Sequence, residues 1–120
     1  MSDKQSETLN NVFHALADPT RRAMIGQLAL REHTVAELAE PYPVSLAAAS
    51  KHIKVLEKAG LLKRRIQGRT HLCRLEPGAL SAANAWIRFY ETVWNDNFDA
   101  LERELNRLNG VTSEEGQGPQ

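Results

Sequence analysis

Residues 45–75 combine a helix pattern with a hairpin pattern, and this pairing limits the fold more than any other feature of the chain. Ser45 is a good helix cap, because its hydroxyl accepts an amide hydrogen that the first turn leaves unpaired. Gly60 is the residue type that commonly closes a helix. Between them, apolar residues recur at spacings of three and four and predict one buried stripe: Leu46, Ala49, Ile53 and Leu56. The sequence therefore predicts a helix over residues 45–59.

A β-hairpin is predicted directly after this helix. Residues 61–67 and 70–75 show apolar alternation, and Gly68-Arg69 between them is a two-residue turn with glycine. A basic hairpin beside a helix is typical of a wing, which lies along the DNA backbone or enters the minor groove. The polar side chains near its tip are Arg64, Arg65, Gln67 and Arg69.

The net charge of the chain is zero, but the charges are unevenly distributed. Residues 45–75 contain eight lysine or arginine residues and one acid, Glu57, which gives +7, while residues 1–44 carry −2 and residues 76–120 carry −5. Such a basic segment is the electrostatic pattern of a protein that binds the phosphate backbone of nucleic acid. A solvated surface helix is the alternative, and the adjacent hairpin favours the first interpretation.

Length and composition indicate a globular protein with one domain. The chain has 120 residues, of which 25% are charged and 42% apolar. No apolar run approaches the roughly 20 residues of a membrane span, and the N-terminus lacks the apolar core of a signal peptide. The single cysteine agrees with a reducing compartment. We expect a cytoplasmic protein without membrane contact, organised as a flexible N-terminus (residues 1–6), one DNA-binding and dimerisation domain (7–109) and a disordered C-terminal tail (110–120).

The segment before Ser45 predicts a helix-turn-helix. Apolar spacing and capping residues indicate helices over residues 7–17, 19–31 and 35–40. Asp18 is the capping residue before the second of these, which is expected to bury Ile25 and Leu28. Thr34 caps the third of these, and Pro41 and Pro43 prevent its continuation, so the chain turns into the helix that starts at Ser45. The predicted fold class is mainly α, a winged helix-turn-helix of about five helices plus a two-stranded hairpin.

Two arginines in the first turn of the predicted second helix need an explanation. Arg21 and Arg22 are positive at a helix N-terminus, where the helix dipole disfavours positive charge. Solubility, an ion pair with a neighbouring helix and an added phosphate contact are the three interpretations that the sequence leaves open.

The last predicted helix, residues 77–108, is long and strongly apolar on one side. A helix about 45 Å long cannot easily bury so much aromatic surface in one small domain. Burial in the protein's own core is the alternative to a shared interface, which we favour. The predicted homodimer interface joins the first and last helices through Leu9, Val12, Phe13, Leu16, Trp86, Tyr90, Val93, Trp94, Phe98, Leu101 and Leu105.

Residues 13–29 (FHALADPTRRAMIGQLA) and 45–77 resemble the ArsR/SmtB family of bacterial winged-helix transcriptional repressors. The densest matches are residues 16–22, Ser50-Lys51-His52, Ala59-Gly60-Leu61 and Gly68-Arg69, and the resemblance covers roughly residues 8–108. It implies a homodimer formed through the first and last helices, a recognition helix over residues 45–59, a wing over residues 62–75, and repression released by an effector.

The metal sites known from the ArsR/SmtB family lack their ligands in this chain. A Cys-Val-Cys run in the short helix corresponds here to Thr34-Val35-Ala36, and the last helix holds no histidine. Transition metals need cysteine or histidine in a closed set of about four ligands, so we expect no metal and no other cofactor. Cys73 is interpreted as a buried, inert thiol rather than a redox sensor, because the chain has no resolving cysteine.

The predicted function is a dimeric, sequence-specific DNA-binding regulator, most simply a repressor on a pseudo-palindromic operator. Base edges are expected to meet Ala47, Ala48, Lys51 and His52, whereas Ser45, Ser50, Lys54 and the wing residues Arg64, Arg65, Gln67 and Arg69 take phosphates. For His52, DNA contact and a structural hydrogen bond to the hairpin are equally open.

Other functions have less support in the sequence. Enzyme chemistry is not expected, because no phosphate loop, activated nucleophile or paired carboxylates occur. A protein-interaction module on a winged-helix scaffold is the alternative function, although its basic wing disfavours that interpretation. A small organic effector in the groove between the first and last helices is a further hypothesis.

Overall fold

A computed structural model of the chain describes residues 3–110 as five helices and three short strands. In chain order these elements are α1 (Asp3–Leu16), α2 (Pro19–Leu30), β1 (His33–Thr34), α3 (Val35–Ala39), α4 (Leu46–Lys58), β2 (Leu62–Gln67), β3 (Thr70–Leu75) and α5 (Pro77–Asn109). The predicted winged helix-turn-helix is confirmed. Residues 111–120, in which most of the expected disordered tail falls, lie outside the described range.

The helix starts follow the predicted capping residues. Asp18, Thr34 and Ser45 are the N-caps of α2, α3 and α4, and each side chain accepts the backbone N–H three residues later. At Thr34 the cap is reciprocal, because Glu37 Oε1 accepts the Thr34 N–H at 2.8 Å. The predicted start of the first helix at residue 7 was wrong, since α1 begins at Asp3 and residues 3–6 are helical.

The core is built around the inner side of α4. Ala49, Ile53 and Leu56 are fully buried there against Met24, Leu38 and Leu61 from the surrounding elements. Two predicted core positions need correction. Leu46 is 61% exposed, because it opens the helix at the edge of the stripe, and Met24 rather than Ile25 is the fully buried residue beside Leu28 in α2.

The turn between α3 and α4 is tied to α2 by one side chain. The Tyr42 hydroxyl donates to Gln27 Oε1 at 2.5 Å, and burial raises the pKa of that hydroxyl. This contact holds the proline-containing segment against the core and sets the direction in which α4 leaves it.

The hairpin belongs to a three-stranded antiparallel sheet with the order β1-β3-β2. The predicted two-stranded hairpin is confirmed, but β1 was missed because two residues are too short to show a strand pattern. β1 pairs through His33 with Cys73 and through Thr34 with Leu72, so it supports the middle of β3 and leaves the end of the hairpin next to the turn unsupported on that edge.

The hairpin turn has the geometry that its glycine predicts. Gln67 pairs with Thr70 at the end of the strands, and Gly68 between them has a φ of +62°. Arg69 has a negative φ, so the pair matches the pattern of a type II′ turn, which needs glycine first.

The chain divides into two compact units, one up to Asn84 and one from Ala85 onwards. The first contains the winged helix together with the start of α5, in which Ala83 is buried. The second is the remainder of α5, along which large side chains are exposed: Trp86, Ile87, Phe89, Tyr90, Val93, Trp94, Phe98, Leu101, Leu105 and Leu108. None of the described helices is both long and apolar enough to cross a membrane.

Two leucines of α4 provide a test of this packing. Leu56→Ala should lower the free energy of unfolding by about 2–5 kcal/mol, because the residue is completely buried. Leu46→Ala, the same substitution at an exposed position, should change it by about 0.5 kcal/mol or less. Urea unfolding at one fixed protein concentration measures both, and equal losses would contradict the described orientation of α4.

Candidate nucleic-acid interface

The outer side of α4 presents small and basic residues beside each other. Ala47, Lys51 and Lys54 are exposed, while Ala48, Ser50 and His52 are half-buried. Ser45 caps the helix through its Oγ, which accepts the Ala48 N–H at 3.1 Å and keeps its own hydrogen available for donation. Six of these seven predicted residues therefore lie between the cap and the middle of α4, and Lys54 follows just beyond it.

Arginines of the wing differ from one another in their availability, which the sequence could not show. Arg64 was predicted to contact DNA, but its side chain is only 19% exposed and lies between α4 and β3. Its Nη2 donates to Glu57 Oε1 at 3.1 Å, and its Nη1 lies 3.2 Å from His71 Nδ1. Arg64 therefore braces the wing against α4, and this pairing disfavours its predicted contact with DNA, which stays a prediction.

Residues nearer the tip of the wing remain exposed. Gln67 and Arg69 are exposed beside the turn, and Arg65 is exposed as well but forms an ion pair with Glu32 at 3.1 Å. Within residues 3–110, Lys51, Lys54, Lys58, Lys63 and Arg69 have no ion-pair partner. In residues 45–75, the positive charge without an ion-pair partner therefore lies along α4, at the start of β2 and at the wing tip.

A cleft of about 450 Å³ separates the beginning of α4 from the wing. Its lining contains three side chains that are cationic or can become so, and no acid; it consists of Thr34, Val35, Ala36, Leu46, Arg64, Arg69, Thr70 and His71. Arg69 is the exposed cation of this lining, because Arg64 is largely buried and bound to Glu57.

Arg21 and Arg22 are explained by the neighbouring helix. Arg21 donates from Nε to the Ala15 carbonyl at 2.8 Å and from Nη2 to the His14 carbonyl at 3.0 Å. Arg22 donates from Nη1 to the Leu16 carbonyl at 2.7 Å. Both guanidiniums therefore pair with carbonyls at the C-terminus of α1, the negative end of that helix.

Arg21 also reaches α4. Its Nη1 lies 3.1 Å from Nδ1 of His52, and Asp18 Oδ2 lies 3.9 Å from the same nitrogen. His52 thus takes part in a structural hydrogen bond, but with Arg21 of α2 and not with the hairpin as hypothesised. Sequence reasoning missed the contact between Arg21 and His52, since 31 residues separate the partners and no local spacing signals it.

The surroundings of Cys73 and the placement of possible metal ligands bear on thiol reactivity and metal binding. Cys73 is completely buried, as predicted, and burial raises the pKa of its thiol, which disfavours the reactive thiolate. In the described part of the chain, no three histidine, cysteine, aspartate or glutamate side chains are grouped as metal ligands.

The residues predicted for a dimer interface divide into two classes. Val12 is completely buried in the protomer's own core and cannot meet a partner, which corrects its assignment; Leu9 and Leu16 are partly buried there. Phe13 is 36% exposed in α1. The α5 members are all exposed: Trp86, Tyr90, Val93, Trp94, Phe98, Leu101 and Leu105.

Asp18 offers a prediction about stability and pH. The backbone N–H of Arg21 bonds to its carboxylate at 3.0 Å and is the main cause that lowers its pKa. A carboxylate whose pKa is lower in the folded state stabilises that state above its unfolded value, near pH 4, and loses this contribution as the pH falls through the folded value. Asp18→Ala should cost about 1 kcal/mol at neutral pH, because the cap is lost.

The difference between wild type and Asp18→Ala should narrow as the pH falls below about 4, measured by urea unfolding across a pH series. Asp18→Asn retains an acceptor oxygen and serves as the matched control, with a smaller loss at neutral pH. A difference that stays constant down to low pH would contradict this role of the carboxylate.

Comparison with known proteins agrees with this geometry. A family model described as a helix-turn-helix domain matches residues 16–65. The HTH-type transcriptional regulator Rv2034 of Mycobacterium tuberculosis is 42% identical over 73 residues, which cover 61% of this chain and 68% of that protein.

Solved structures extend the likeness to the fold. The crystal structure of the ArsR family transcriptional regulator RHA00566 superposes with a TM-score of 0.72 at 41% identity, covering 75% of this chain and 93% of that one. The homodimeric winged helix-turn-helix DNA-binding domain Mb0332 of Mycobacterium bovis gives a TM-score of 0.59 at 26% identity and covers 78% and 91%. The chain therefore belongs to the ArsR/SmtB family of winged helix-turn-helix transcriptional regulators.

Proposed function

We propose that this regulator is a homodimeric repressor that binds a pseudo-palindromic DNA operator. The observation that carries the proposal is the outer side of α4, where small residues and unpaired lysines lie next to an exposed arginine at the wing tip. Small side chains let a helix approach the floor of the major groove closely, and the cations reach the phosphates on either side. In a two-fold dimer, half-sites lie about one helical turn apart or a small multiple of that.

Each residue of the interface has a proposed role. Base edges meet the side chains at the start and middle of α4: Ala47, Ala48, Lys51 and His52. Phosphates are bound by Ser45, Ser50 and Lys54 of α4 and by Arg65, Gln67 and Arg69 of the wing. Arg64 is withdrawn from the contact set because its side chain is largely buried and bound to Glu57.

The dimer is proposed to form mainly through the apolar side of α5. Leu101 is 56% exposed, Phe98 54% and Trp94 68%, more apolar surface than a soluble protein usually leaves to water. The likeness to the homodimeric Mb0332 domain supports a homodimer here. Phe13 of α1 is the second, smaller contribution, and residues 7–109 remain the proposed DNA-binding and dimerisation domain.

Release of repression by a small organic effector is the remaining part of the proposal. A cleft of about 400 Å³ is formed by residues of α1, the end of α4 and the start of α5, which is the groove expected to hold such a ligand. It is lined by Thr8, Asn11, Lys58, Ala59, Gly60, Gly78, Ala79 and Ala82. Its volume lies in the range of small-molecule sites, and its lining of small residues and few polar groups suits a largely apolar molecule.

Salt dependence tests the DNA-facing side. A fluorescence-anisotropy titration against a random-sequence duplex at several salt concentrations should show steeply salt-dependent binding. Lys51→Ala and Arg69→Ala should each weaken binding, and the salt slope should fall by about one unit for each phosphate that a half-site no longer binds. Lys58→Ala removes the same charge from the far end of α4 and should change neither the affinity nor the slope.

Two outcomes would contradict this proposal. Equal effects of Lys51→Ala and Lys58→Ala would mean that only net charge matters and that binding is not concentrated at the N-terminal half of α4. If the wild type binds no DNA even at low salt, the repressor proposal is contradicted and a protein-interaction module is favoured.

Two lysine substitutions in α5 test the dimer. Leu101→Lys should shift the protein from dimer to monomer in sedimentation equilibrium, because a charge is placed in a buried apolar interface. Thr92→Lys adds the same charge nine residues away, about two and a half turns, on the opposite side of the helix. It should leave the dimer intact, and dissociation of both variants would contradict the assignment of the interface to one side of α5.

A further inference from the structure

We propose that Arg21 is a positioning residue that fixes the tautomer of His52, so that His52 presents a hydrogen-bond donor to DNA. The inference deepens the proposed function and rests on it in one respect, the placement of His52 at the DNA interface. It assigns a role to a residue that lies outside the predicted contact set.

The tautomer follows from the contact between the two side chains. Arg21 Nη1 and His52 Nδ1 are 3.1 Å apart, within hydrogen-bonding distance. A guanidinium has five N–H donors, no acceptor, and stays protonated in proteins. The arginine must therefore donate, and Nδ1 of His52 must accept with an unprotonated lone pair. In the neutral imidazole the hydrogen is then on Nε2.

The guanidinium is held firmly enough to impose this choice. Besides His52, it donates to the carbonyls of Ala15 and His14, at 2.8 and 3.0 Å. The backbone N–H of Arg21 is in turn bonded to Asp18. Three contacts from one planar group fix its plane, so Nη1 cannot turn away without breaking bonds at the end of α1.

The other charged group near the ring does not reverse the assignment. Asp18 Oδ2 is 3.9 Å from Nδ1, beyond hydrogen-bonding distance, and already accepts the Arg21 N–H at 3.0 Å. An N–H on Nδ1 would therefore face the Arg21 guanidinium at close range without a bonded acceptor.

The Nε2–H group is available to a ligand. Within residues 3–110 no protein atom bonds to Nε2 of His52, and the one buried side-chain nitrogen or oxygen that lacks a partner there is Arg64 Nε. Nε2 is consequently reached by solvent, on a side chain that is 21% exposed. On α4 this donor is offered to the duplex.

A donor at this position selects the kind of atom that it can meet. Guanine O6 and N7, thymine O4, adenine N7 and phosphate oxygens are acceptors, whereas the exocyclic amines of cytosine and adenine are donors and would be left unpaired against it. The shared chemistry is an acceptor oxygen or ring nitrogen, supplied by either a base edge or the backbone.

The first experiment reads the tautomer directly in the free protein. Long-range ¹H–¹⁵N correlation spectra of the full chain at about pH 8, where imidazoles are neutral, distinguish a protonated from an unprotonated ring nitrogen. His52 should show Nδ1 unprotonated and Nε2 protonated. Arg21→Met should shift the His52 signals towards a mixture of tautomers, because the donor that excludes a hydrogen on Nδ1 is gone.

Arg22→Met is the matched control, since it also removes a guanidinium from the end of α1 but has no contact with His52 in the described structure. It should leave the His52 signals unchanged. A protonated Nδ1 in the wild type, or identical spectra for wild type and Arg21→Met, would overturn the proposal while leaving DNA binding by the protein unaffected.

The second experiment measures what the donor does on DNA, with a duplex selected from a random library. His52→Gln places an amide donor near the position of Nε2, whereas His52→Asn places it near Nδ1. Affinity should stay within about threefold for His52→Gln and fall about tenfold or more for His52→Asn, because two protomers each lose a hydrogen bond. The reverse order would overturn the donor role.

The same duplex distinguishes the two sources of the acceptor. If a base edge accepts, His52→Asn should relax the preference at one base pair of each half-site; if a phosphate accepts, affinity should fall equally for all sequences. Both results support the donor. If the wild type enriches no duplex from the library, the proposed function is contradicted. The tautomer is decided by the NMR experiment alone, so the two results are distinguishable.

Discussion

Burial of the inner side of α4 is the constraint on which the rest of this structure depends. Ile53 and Leu56 are completely excluded from water, and the core that contains them also holds buried residues of α1, α2, α3, β2, β3 and the start of α5. Because one side of α4 is fixed in the core, the direction of the opposite side is fixed as well. The residues on that side therefore point outwards without additional contacts to orient them. The Ser45 cap and the Tyr42 contact with Gln27 determine where this helix begins.

The arginines of this chain perform three different tasks that a charge count cannot separate. Arg21 and Arg22 satisfy the carbonyls at the end of α1, Arg64 braces the wing through Glu57, and Arg69 is exposed at the tip. The excess of positive charge in residues 45–75 is therefore larger than the charge offered to a partner. Much of the unpaired positive charge lies on α4, where small residues allow the helix to approach DNA closely. This distribution favours recognition of a DNA groove over general attraction to anions.

The sequence predicted the local features well and the long-range contacts poorly. Helix caps at Asp18, Thr34 and Ser45, the glycine turn at Gly68 and the apolar side of α5 all follow from short spacings, which depend on neighbouring residues. The contacts of Arg64 were missed because its partners belong to other elements, and β1 was missed because a strand of two residues is recognisable only beside β3. Val12 could not be recognised as a core residue from its helix alone, since both sides of an apolar stripe look equivalent until the packing partners are known. The direct DNA contacts remain a prediction.

The short strand β1 has a mechanical consequence for the wing. The pairing of β1 with β3 ends at Leu72, opposite Thr34. From there to the turn the hairpin consists of β2 and β3 alone, and it is anchored at one end. Arg69 lies three residues past the last supported position, roughly 10 Å along the strand. A ribbon anchored in this way bends at its free end far more easily than at its root. In the proposed complex, the tip can therefore follow local variation in the width of a DNA groove while α4 stays in place. A rigid helix is then combined with a flexible hairpin tip.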